Sequence, residues 1–587
     1  MPPKVDYSVY LVTDPTPAIL GPGRTVVDVV GAAFRHQTSS TSASTSTSTS
    51  TPPHIGIVQL RDKDADARTM LATLAALHEF TGPAGAPLLV NDRVDVAVAA
   101  AARGHCEGVH LGQDDIDVAT ARRMLGPDAI IGVTASTVDE AVTACRDGAD
   151  YLGLGTVFAT PTKTNTKHVV GTAGIQRMLQ AMAAAGFGHI PAVCIGGVNA
   201  SNARRVVFQS GFDGGDSAGE ASPPKALDGV AVVSAIMGAA DPFAAAEALA
   251  EQVRLGKHEG PTAFYRAPAA PFTSLASYTS PSPLPPTATI QRILQALHET
   301  TPLSHNMTNL VVQNIAANVA LAVGASPIMS NSGVEAADLA RLPGSALVIN
   351  MGTATPESLA NYVKAIAAYN AAGRPVVFDP VGAGATAVRR AAVRTIMAAG
   401  YLDVIKGNEG EIQTVYLSGL SDDEAAAESA GLAQQRGVDG SNTLDAEARI
   451  RLVRRLAARE KCVVVLTGAV DYVSDSRGAR VVAVADGHPM LGQVTGTGCS
   501  LGTVMSASIA AAATLRRASD CAGRGPDSED IDTFAAVLAG MALYERAAAR
   551  AAVLPSVKGP GTFVPAFLDE LSQCRRAAAA GDMSWLA

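Results

Sequence analysis

Short apolar runs alternate with helical patterns throughout the first half of the chain. The runs are rich in Val, Ile, Leu and Gly, and the segments between them, such as ADARTMLATLAALHEF, repeat apolar residues at helical spacing. The runs lie at 7–13, 56–60, 87–90, 108–111, 130–133, 151–154, 193–195 and 229–233. Eight such β/α repeats within about 250 residues predict an α/β fold, a (β/α)8 TIM barrel. An open doubly wound sheet would show the same alternation.

The second half has longer helical patterns between buried strands. The apolar runs lie at 346–350, 375–379, 403–405 and 462–467. This pattern predicts a layered α/β domain with helices on both faces of a largely parallel sheet. Between the halves, a stretch dense in Pro, Ser and Thr has no helical period. We therefore expect a barrel at 1–254, a linker at 255–287 and a second domain at 288–587.

Two segments of the first half cannot contribute to a core. Residues 38–51 (TSSTSASTSTSTST) contain only small and polar side chains, which predicts a disordered insertion, and 211–228 is rich in Gly, Asp, Ser and Pro. Each precedes a predicted barrel strand, so both insertions should lie on the face opposite the carboxyl ends of the strands. Residues 421–447 and 517–530 are predicted to be surface loops of the second half.

The composition narrows the class of protein. Hydrophobic residues make up 48% of the chain and aromatic residues only 4%, as in Ala- and Val-rich α/β enzymes. A formal charge of −9 argues against a broad nucleic-acid-binding face. Seven dispersed cysteines without a CxxC pair indicate reduced thiols. The N-terminus lacks a signal pattern, and no apolar stretch is uninterrupted enough to predict a membrane span. These features predict a cytoplasmic protein.

Polar residues follow most of the predicted barrel strands. Chemistry in such barrels takes place at the carboxyl ends of the strands, so these residues should share one rim. Each group alone has an ordinary explanation as an exposed strand end, a turn or a helix cap. Their convergence favours a site. Its candidates are Gln59, Arg61, Lys63, Asn91, Asp92, Asp115, Thr134, Thr160, Thr162, Lys163, Gly196, Gly197 and Ser234.

The residue types at this rim suit phosphorylated substrates. Carboxylates from two strands can share a divalent cation, and Mg²⁺ usually takes one or two carboxylates plus phosphate oxygens. Arginine and lysine on neighbouring loops can bind the same phosphates. The backbone amides of Gly196 and Gly197, together with Ser234, can hold a second phosphate at the end of the last two strands.

Six segments of this half resemble thiamine phosphate synthase across roughly residues 5–250. They are YLVTD (10–14), QLRDK (59–63), ND (91–92), GVHLGQDD (108–115), TPTKT (160–164) and IGGV (195–198). Two positions depart from the family pattern. Thr134 replaces a usual Ser and keeps the hydroxyl, and the loop before Thr160 carries Val157, Phe158 and Ala159 instead of a Tyr-Pro pair.

The resemblance implies that a thiazole nitrogen attacks a pyrimidine whose diphosphate departs. It implies Mg²⁺ held by Asp92 and Asp115, with Arg61 and Lys163 also acting in catalysis. The implied pyrimidine diphosphate ligands are Gln59, Arg61, Lys63, Asn91, Thr134 and Lys163. The implied thiazole phosphate ligands are Thr160, Thr162, Gly197, Val233 and Ser234.

Four motifs of the second half are suited to phosphoryl transfer. They are DPVGAGAT (379–386), KGNEGE (406–411), Thr467-Gly468 at a strand end and GTGC (496–499), which opens a helix of small residues. A glycine turn at a helix N-terminus offers free amides to a phosphoryl group. Asp379 and Glu411 can serve Mg²⁺. No GxxxxGK[ST] is present, so a P-loop kinase is not indicated.

With HNMTNLVVQN (305–314) and GASPIMS (324–330), these motifs are similar to hydroxyethylthiazole kinase of the ribokinase-like group, over about 288–575. The resemblance implies ATP-dependent phosphorylation of a primary alcohol. Lys406 and Thr467 would then contact ATP, and Met329 and Gly496 would line the thiazole pocket. Asp379 and Glu411 would serve the metal and the phosphates. Packing or loop hydrogen bonding explains His305 better than catalysis does.

Cys499 is the candidate catalytic residue of this half. By the resemblance, it stands where many members of the wider ribokinase-like group carry an Asp general base. An ordinary thiol, with a pKa of about 8.5, is a poor base near neutrality, although a helix N-terminus can lower that value. Cys499 is therefore either a weak base or a positioning group.

The two resemblances name consecutive steps, because the kinase product is the nucleophile that the synthase requires. This domain order resembles the fused fungal form, acting on small molecules alone, and relatives of both halves imply a homo-oligomer. Two alternatives are an enzyme acting on other metabolites and a sensor without chemistry. A sensor without chemistry would be expected to have lost the residues that bind metal and phosphate. All of the acidic and basic candidates are present: Asp92, Asp115, Lys163, Asp379 and Glu411.

Overall fold

The chain folds into two compact units, residues 1–258 and 259–587. A computed structural model describes residues 5–34, 54–158, 160, 169–216, 221–258, 283–352, 354–420, 425–426, 443–521 and 531–587. The predicted insertion at 38–51 and most of the predicted linker fall outside the described residues. The last barrel helix ends at His258, and the first helix of the second unit begins at Thr287.

The first unit is built around a closed barrel of parallel strands. Its strands are β1 (Val9–Val12), β2 (Ile57–Leu60), β3 (Leu88–Asn91), β4 (Gly108–Leu111), β5 (Ile130–Ala135), β6 (Tyr151–Gly155), β7 (Ala192–Ile195) and β10 (Gly229–Val232). Each pairs with its sequence neighbour, and β10 closes the ring between β7 and β1. The predicted (β/α)8 barrel is therefore confirmed, and the open sheet is wrong.

Alternation of side chains along the strands divides the interior from the helix layer. On β1, Val9 and Leu11 pack against the surrounding helices, whereas Tyr10 and Val12 point into the barrel. The helices are α1 (Pro17–Leu20), α2 (Val26–Phe34), α3 (Ala67–Ala84), α4 (Val94–Ala101), α5 (Val118–Leu125), α6 (Val138–Arg146), α7 (Gly171–Ala184), α8 (Ala203–Ser210), α9 (Ser234–Met237) and α10 (Pro242–His258).

The polar segment 211–228 contains structure that its composition does not predict. It forms a small antiparallel hairpin, β8 (Gly215–Asp216) and β9 (Ala221–Ser222), with a further bridge between Phe212 and Lys225. The Lys225 ammonium donates to the carbonyl oxygens of Gly188 and Ile190 just before β7. The hairpin is therefore anchored at the amino end of the barrel strands, opposite the predicted working rim.

The second unit contains an eight-stranded mixed sheet. In sheet order its strands are β12 (Ser326–Ile328), β11 (Leu303–Met307), β13 (Ser345–Asn350), β14 (Val376–Asp379), β15 (Val404–Asn408), β16 (Val463–Thr467), β17 (Asp471–Ser474) and β18 (Val481–Val484). The first six are parallel, and β17 and β18 add antiparallel strands at one edge. The sequence did not predict the four outer strands.

Helices cover both faces of this sheet, as the pattern predicted. They are α11 (Thr287–Thr300), α12 (Gln313–Ala322), α13 (Ala336–Arg341), α14 (Pro356–Ala371), α15 (Ala387–Ala399), α16 (Glu409–Ser418), α17 (Ala446–Glu460), α18 (Thr497–Cys521), α19 (Thr533–Ala552) and α20 (Pro560–Ala579). Single-turn 3₁₀ helices lie at Pro489–Gln493 and Ser584–Leu586. On β14, Val376 and Phe378 pack against one layer and Val377 against the other.

Helix α18 is the central element of the second layer. It continues to Cys521, so the predicted loop from residue 517 is wrong over its first five positions. Residues 497–517 are long and apolar enough to cross a membrane, but 78% of the 18-residue apolar window in this helix is buried inside the unit. Core helices of soluble proteins have the same length and composition, so this helix is weak evidence for a membrane span.

Candidate active sites

The barrel rim brings together two of the predicted acidic residues. Asp92 follows β3, Asp115 follows β4, and the two carboxyl groups are close enough to interact. Asp92 has a backbone φ of 62°, a left-handed conformation that Asp tolerates better than most residues. The Lys63 ammonium lies 3.7 Å from Asp92 Oδ2. Burial raises the pKa of Asp92, and the neighbouring Asp115 adds to the rise.

These carboxylates fit a hard divalent cation. Two acidic groups in contact repel one another when both are ionised, and a bound cation relieves that repulsion. Mg²⁺ needs few protein ligands, because it keeps waters and takes phosphate oxygens. Larger groups of three His, Cys, Asp or Glu residues are absent from the described part of the chain. Asp115 Oδ2 also accepts from the Gly112 amide at 2.7 Å, which fixes that carboxylate toward Asp92.

Arg61 is held at the same rim by the end of β1. Its backbone amide donates to Thr13 Oγ1 at 2.9 Å, and its guanidinium lies 3.8 Å from Asp14 Oδ2. Asp14 is buried, whereas the Arg61 side chain is partly exposed. The arginine is therefore oriented by a carboxylate behind it while its outer face stays accessible. Asp14 belongs to the YLVTD segment but was not among the predicted site residues.

A buried polar row crosses the barrel beneath the rim. Gln59 Nε2 donates to Asn91 Oδ1 at 2.7 Å, and Gln59 Oε1 accepts from the Tyr10 hydroxyl at 2.8 Å. The Tyr10 and Tyr151 hydroxyl oxygens are 2.7 Å apart. Gln59 and Asn91 are thus placed together by neighbouring strands, as expected.

The row continues on the other side of the barrel. His110 Nδ1 lies 2.7 Å from the Tyr151 hydroxyl, and His110 Nε2 lies 2.8 Å from Thr134 Oγ1. Thr134 is therefore connected through side chains to Gln59. Tyr10, Tyr151 and His110 were missed as site residues, although a histidine and tyrosines on otherwise apolar strands were a visible signal.

The phosphate-binding end of the rim is partly described. Gly196 and Gly197 follow β7 with φ values of 105° and 68°, and a Cβ on Gly196 would lie 2.3 Å from Thr156 Cγ2. Val233 and Ser234 follow the adjacent strand β10. These four residues therefore lie side by side. Of the remaining candidates, Thr160 is half-buried, whereas Thr162 and Lys163 lie outside the described residues, as does Ala159.

In the second unit, a buried ion pair joins two neighbouring strands. Lys406 Nζ on β15 lies 3.1 Å from Asp379 Oδ2 at the end of β14, and it also donates to the Gly498 carbonyl at 2.9 Å. Asn350 Nδ2 donates to the same Asp379 oxygen at 3.0 Å. Burial opposes the charge on Lys406, but Asp379, Cys499 and Glu411 raise its pKa above the ordinary value.

Glu411 braces the glycine-rich loop that follows β14. Its two carboxylate oxygens accept from the amides of Gly382 and Asn408 at 2.8 Å each, and Asn408 caps α16 in return. Burial, with Asp379 nearby, raises the pKa of Glu411 to about 7. Each carboxylate oxygen keeps a further lone pair, and Asp379 Oδ1 is buried with no hydrogen-bond partner among the described residues. The pair therefore fits a cation that also binds phosphate.

The GTGC turn lies against this cluster. Gly496 has φ 94°, and a Cβ there would lie 2.8 Å from Ile315 Cγ2, so no side chain fits. Cys499 lies in the first turn of α18, near Asp379 and Lys406. Burial, reinforced by Asp379, raises the pKa of Cys499 to about 11. A thiol with this pKa is neutral near pH 7, which favours the positioning interpretation over the weak base.

The two other predicted residues of this unit, Thr467 and Met329, lie at different distances from the Asp379–Lys406 pair. Thr467 pairs with Asn408 at the end of the adjacent strand β16 and is half-buried. Met329 follows the edge strand β12, which is separated from β14 by two strands, or about 14 Å across the sheet. His305 is buried between Tyr369 and the Ser330 carbonyl, a packing role as expected.

Comparison with known proteins accounts for both units. The thiamine monophosphate synthase family model matches residues 9–236, and the hydroxyethylthiazole kinase family model matches residues 294–576. A probable thiamine biosynthetic bifunctional enzyme of Schizosaccharomyces pombe is 35% identical, covering 99% of this chain and 98% of that protein. The chain belongs to this bifunctional family.

Two further proteins are similar to this chain. The thiamine biosynthetic bifunctional enzyme of Saccharomyces cerevisiae is 31% identical, covering 97% of this chain and 96% of the yeast protein. The solved structure of hydroxyethylthiazole kinase from Pyrococcus horikoshii is 34% identical with a TM-score of 0.39, covering 49% of this chain and 94% of that one. The chain is a fusion of the two enzyme domains, as the motifs indicated.

Proposed function

We propose that the second unit transfers a phosphoryl group from ATP to the primary alcohol of hydroxyethylthiazole. The barrel then joins the thiazole phosphate to a hydroxymethylpyrimidine diphosphate, giving thiamine phosphate and diphosphate. The proposal rests on one observation. The Lys406 ammonium binds both the Asp379 carboxylate and the glycine turn at residues 496–499. These groups match the charges of a phosphoryl group in transfer.

In the kinase unit, the residues act by positioning and by charge. Lys406 and Thr467 bind the ATP phosphates, and the free amides at the start of α18 face the transferred group. Met329 and Gly496 line the thiazole pocket. As the resemblance of both halves to their families implies, a second copy of the chain is expected to complete this pocket. We therefore propose a homo-oligomer.

In the barrel, the residues stabilise a departing diphosphate. The C–O bond to the pyrimidine methylene breaks, the diphosphate leaves with the electron pair, and the thiazole nitrogen then forms the new C–N bond. Arg61, Lys63 and Lys163 hold the diphosphate oxygens, and Gln59, Asn91 and Thr134 orient the pyrimidine. Thr160, Thr162, Gly197, Val233 and Ser234 bind the thiazole phosphate.

We propose Mg²⁺ as the metal in both units. Asp92 and Asp115 would hold it in the barrel, and Asp379 and Glu411 in the kinase unit. When bound, the ion neutralises phosphate charge that develops during group transfer. The dispersed free thiols support a reducing compartment, and we place the enzyme in the cytoplasm.

The decisive experiment supplies both substrates to the purified protein. Incubation with ATP, Mg²⁺, thiazole alcohol and pyrimidine diphosphate should give thiamine phosphate, identified by its mass. Omission of ATP should stop the sequence, and addition of thiazole phosphate should restore it. If neither thiazole phosphate nor thiamine phosphate forms, other metabolites are the substrates and this proposal is wrong.

A further inference from the structure

The buried row inside the barrel has a fixed hydrogen-bond direction at its first end. The first group of the row is the Asn91 side-chain oxygen, which can only accept. Gln59 Nε2 donates to that oxygen, which turns Gln59 Oε1 toward Tyr10. An amide oxygen can only accept, so the Tyr10 hydroxyl must donate to it. The direction of the row is therefore set by the orientation of the Asn91 and Gln59 amides.

This direction passes through the aromatic side chains to the opposite end. The single proton of Tyr10 is committed to Gln59, so the Tyr10 oxygen accepts from Tyr151. The Tyr151 oxygen must then accept from Nδ1–H of His110, which leaves His110 Nε2 as an acceptor for the Thr134 hydroxyl proton. A hydroxyl has one proton. Thr134 Oγ1 consequently has only lone pairs to offer at the rim.

Packing keeps the row from rearranging. Gly132 leaves room for Tyr151, because a Cβ there would lie 2.0 Å from Tyr151 Cζ. A Cβ on Gly153 would lie 3.1 Å from His110 Cε1. Tyr10 and Tyr151 are fully buried, so water cannot replace a lost partner. Reversing the row would require the side-chain amides of Gln59 and Asn91 to flip together.

We propose that Tyr10, Tyr151 and His110 are positioning residues that make Thr134 Oγ1 an acceptor, which suits a pyrimidine substrate that carries an exocyclic amino group. The inference rests on the synthase function proposed above. An amino group donates where a hydrogen or a carbonyl oxygen in its place cannot. The row therefore selects aminopyrimidines over analogues that lack this donor.

The tautomer of His110 tests the direction of the row. In the full-length protein with ¹⁵N-labelled histidine, assigned by loss of the signal in His110→Asn, we expect Nδ1 protonated and Nε2 unprotonated. Tyr10→Phe frees the Tyr151 proton to bind His110 Nδ1, which should shift the imidazole toward the Nε2–H tautomer. Tyr7→Phe is the matched control, because Tyr7 packs 5.2 Å from Tyr151 without belonging to the row. A wild-type imidazole protonated at Nε2 would overturn the proposal.

Substrate selection tests the consequence. With thiazole phosphate supplied, the ratio of kcat/KM for the aminopyrimidine diphosphate to that for its deamino analogue should fall at least about tenfold in Tyr10→Phe and Tyr151→Phe. The ratio should not change in Tyr7→Phe. Damage to the fold alone would lower both kcat/KM values and leave their ratio intact, which would refute a positioning role. Wild-type protein that makes no thiamine phosphate would instead refute the proposed function, and the tautomer would still test the row.

Discussion

The ammonium of Lys406 and the carboxylate of Asp379 form an ion pair of 3.1 Å that is closed off from solvent on both sides. The same ammonium donates to the Gly498 carbonyl, so one side chain joins two strand ends to the turn that opens α18. Removing one member of a buried pair leaves the other charge uncompensated, at a typical cost of about 3–5 kcal/mol. The pair is therefore tied both to the proposed chemistry and to the stability of the kinase unit.

Lys406→Ala is expected to abolish thiazole phosphorylation and to lower the melting temperature of the kinase unit. The coupling of thiazole phosphate to the pyrimidine diphosphate should persist when thiazole phosphate is supplied, because the barrel is a separate compact unit. Both products are measured by mass after incubation with ATP. Lys364→Ala, at an exposed lysine of the same unit, is the control and should leave both reactions unchanged. Phosphorylation within about tenfold of the wild-type rate would contradict the role of Lys406.

Asp115→Asn is expected to impair the coupling reaction of the barrel and to leave thiazole phosphorylation intact, the reverse of Lys406→Ala. The amide keeps an acceptor for the Gly112 amide but loses the negative charge, so coupling should fall at least about 100-fold. The Mg²⁺ concentration needed for half-maximal coupling should rise, because a neutral amide is a weaker ligand than a carboxylate. Thiazole phosphorylation should not change. Asp114→Asn is the matched control at the adjacent residue, and an equal loss there would mean that Asp115 has no special role.

The regular parts of the fold were predictable from periodicity. Barrel strands such as β10 consist only of buried apolar residues, so their positions in the sequence were clear. Strand β11 contains His305 and Asn306, which are buried and hydrogen-bonded, and this polarity hid it. Strand β12 has only three residues, too few for a periodic signal. The hairpin in 211–228 depends on the long-range anchor of Lys225, which no local pattern reveals.

The candidate sites were predictable where chemistry lies at strand ends. Asp92 and Asp115 are far apart in sequence but follow adjacent parallel strands, so topology alone places them together. Side-chain direction was not predictable. The inward orientation of Tyr10 and Tyr151 depends on the barrel register, and the high pKa of Cys499 depends on burial beside Asp379. Both require the folded structure.

Cys499→Ser tests whether the thiol acts as a base. Burial raises the pKa of Cys499 to about 11, so a thiolate is scarce at neutral pH. Serine keeps a small polar donor at the start of α18. We expect kcat of the kinase reaction to stay within about tenfold of wild type, with the same pH profile. A loss of more than about 100-fold, with the alkaline rise of the profile abolished, would instead identify the thiol as the base.

Glu545→Gln should flatten the pH dependence of stability in the kinase unit. Burial, with Asp471 and Asp486 nearby, raises the pKa of Glu545 to about 9, against about 4.3 in an unfolded chain. Because the folded value is the higher one, the stability contributed by the protonated group is present below the unfolded pKa and lost as pH rises through about 9. Glutamine has nearly the same size but cannot ionise. Calorimetry at successive pH values should show the wild-type transition of this unit falling toward alkaline pH more steeply than the variant's. Glu447→Gln, at an exposed carboxylate of α17, is the control, and its transition should depend on pH as the wild-type transition does. If the transition of Glu545→Gln also follows the wild-type pH dependence, Glu545 ionises as freely in the folded unit as in the unfolded chain, and the prediction is wrong.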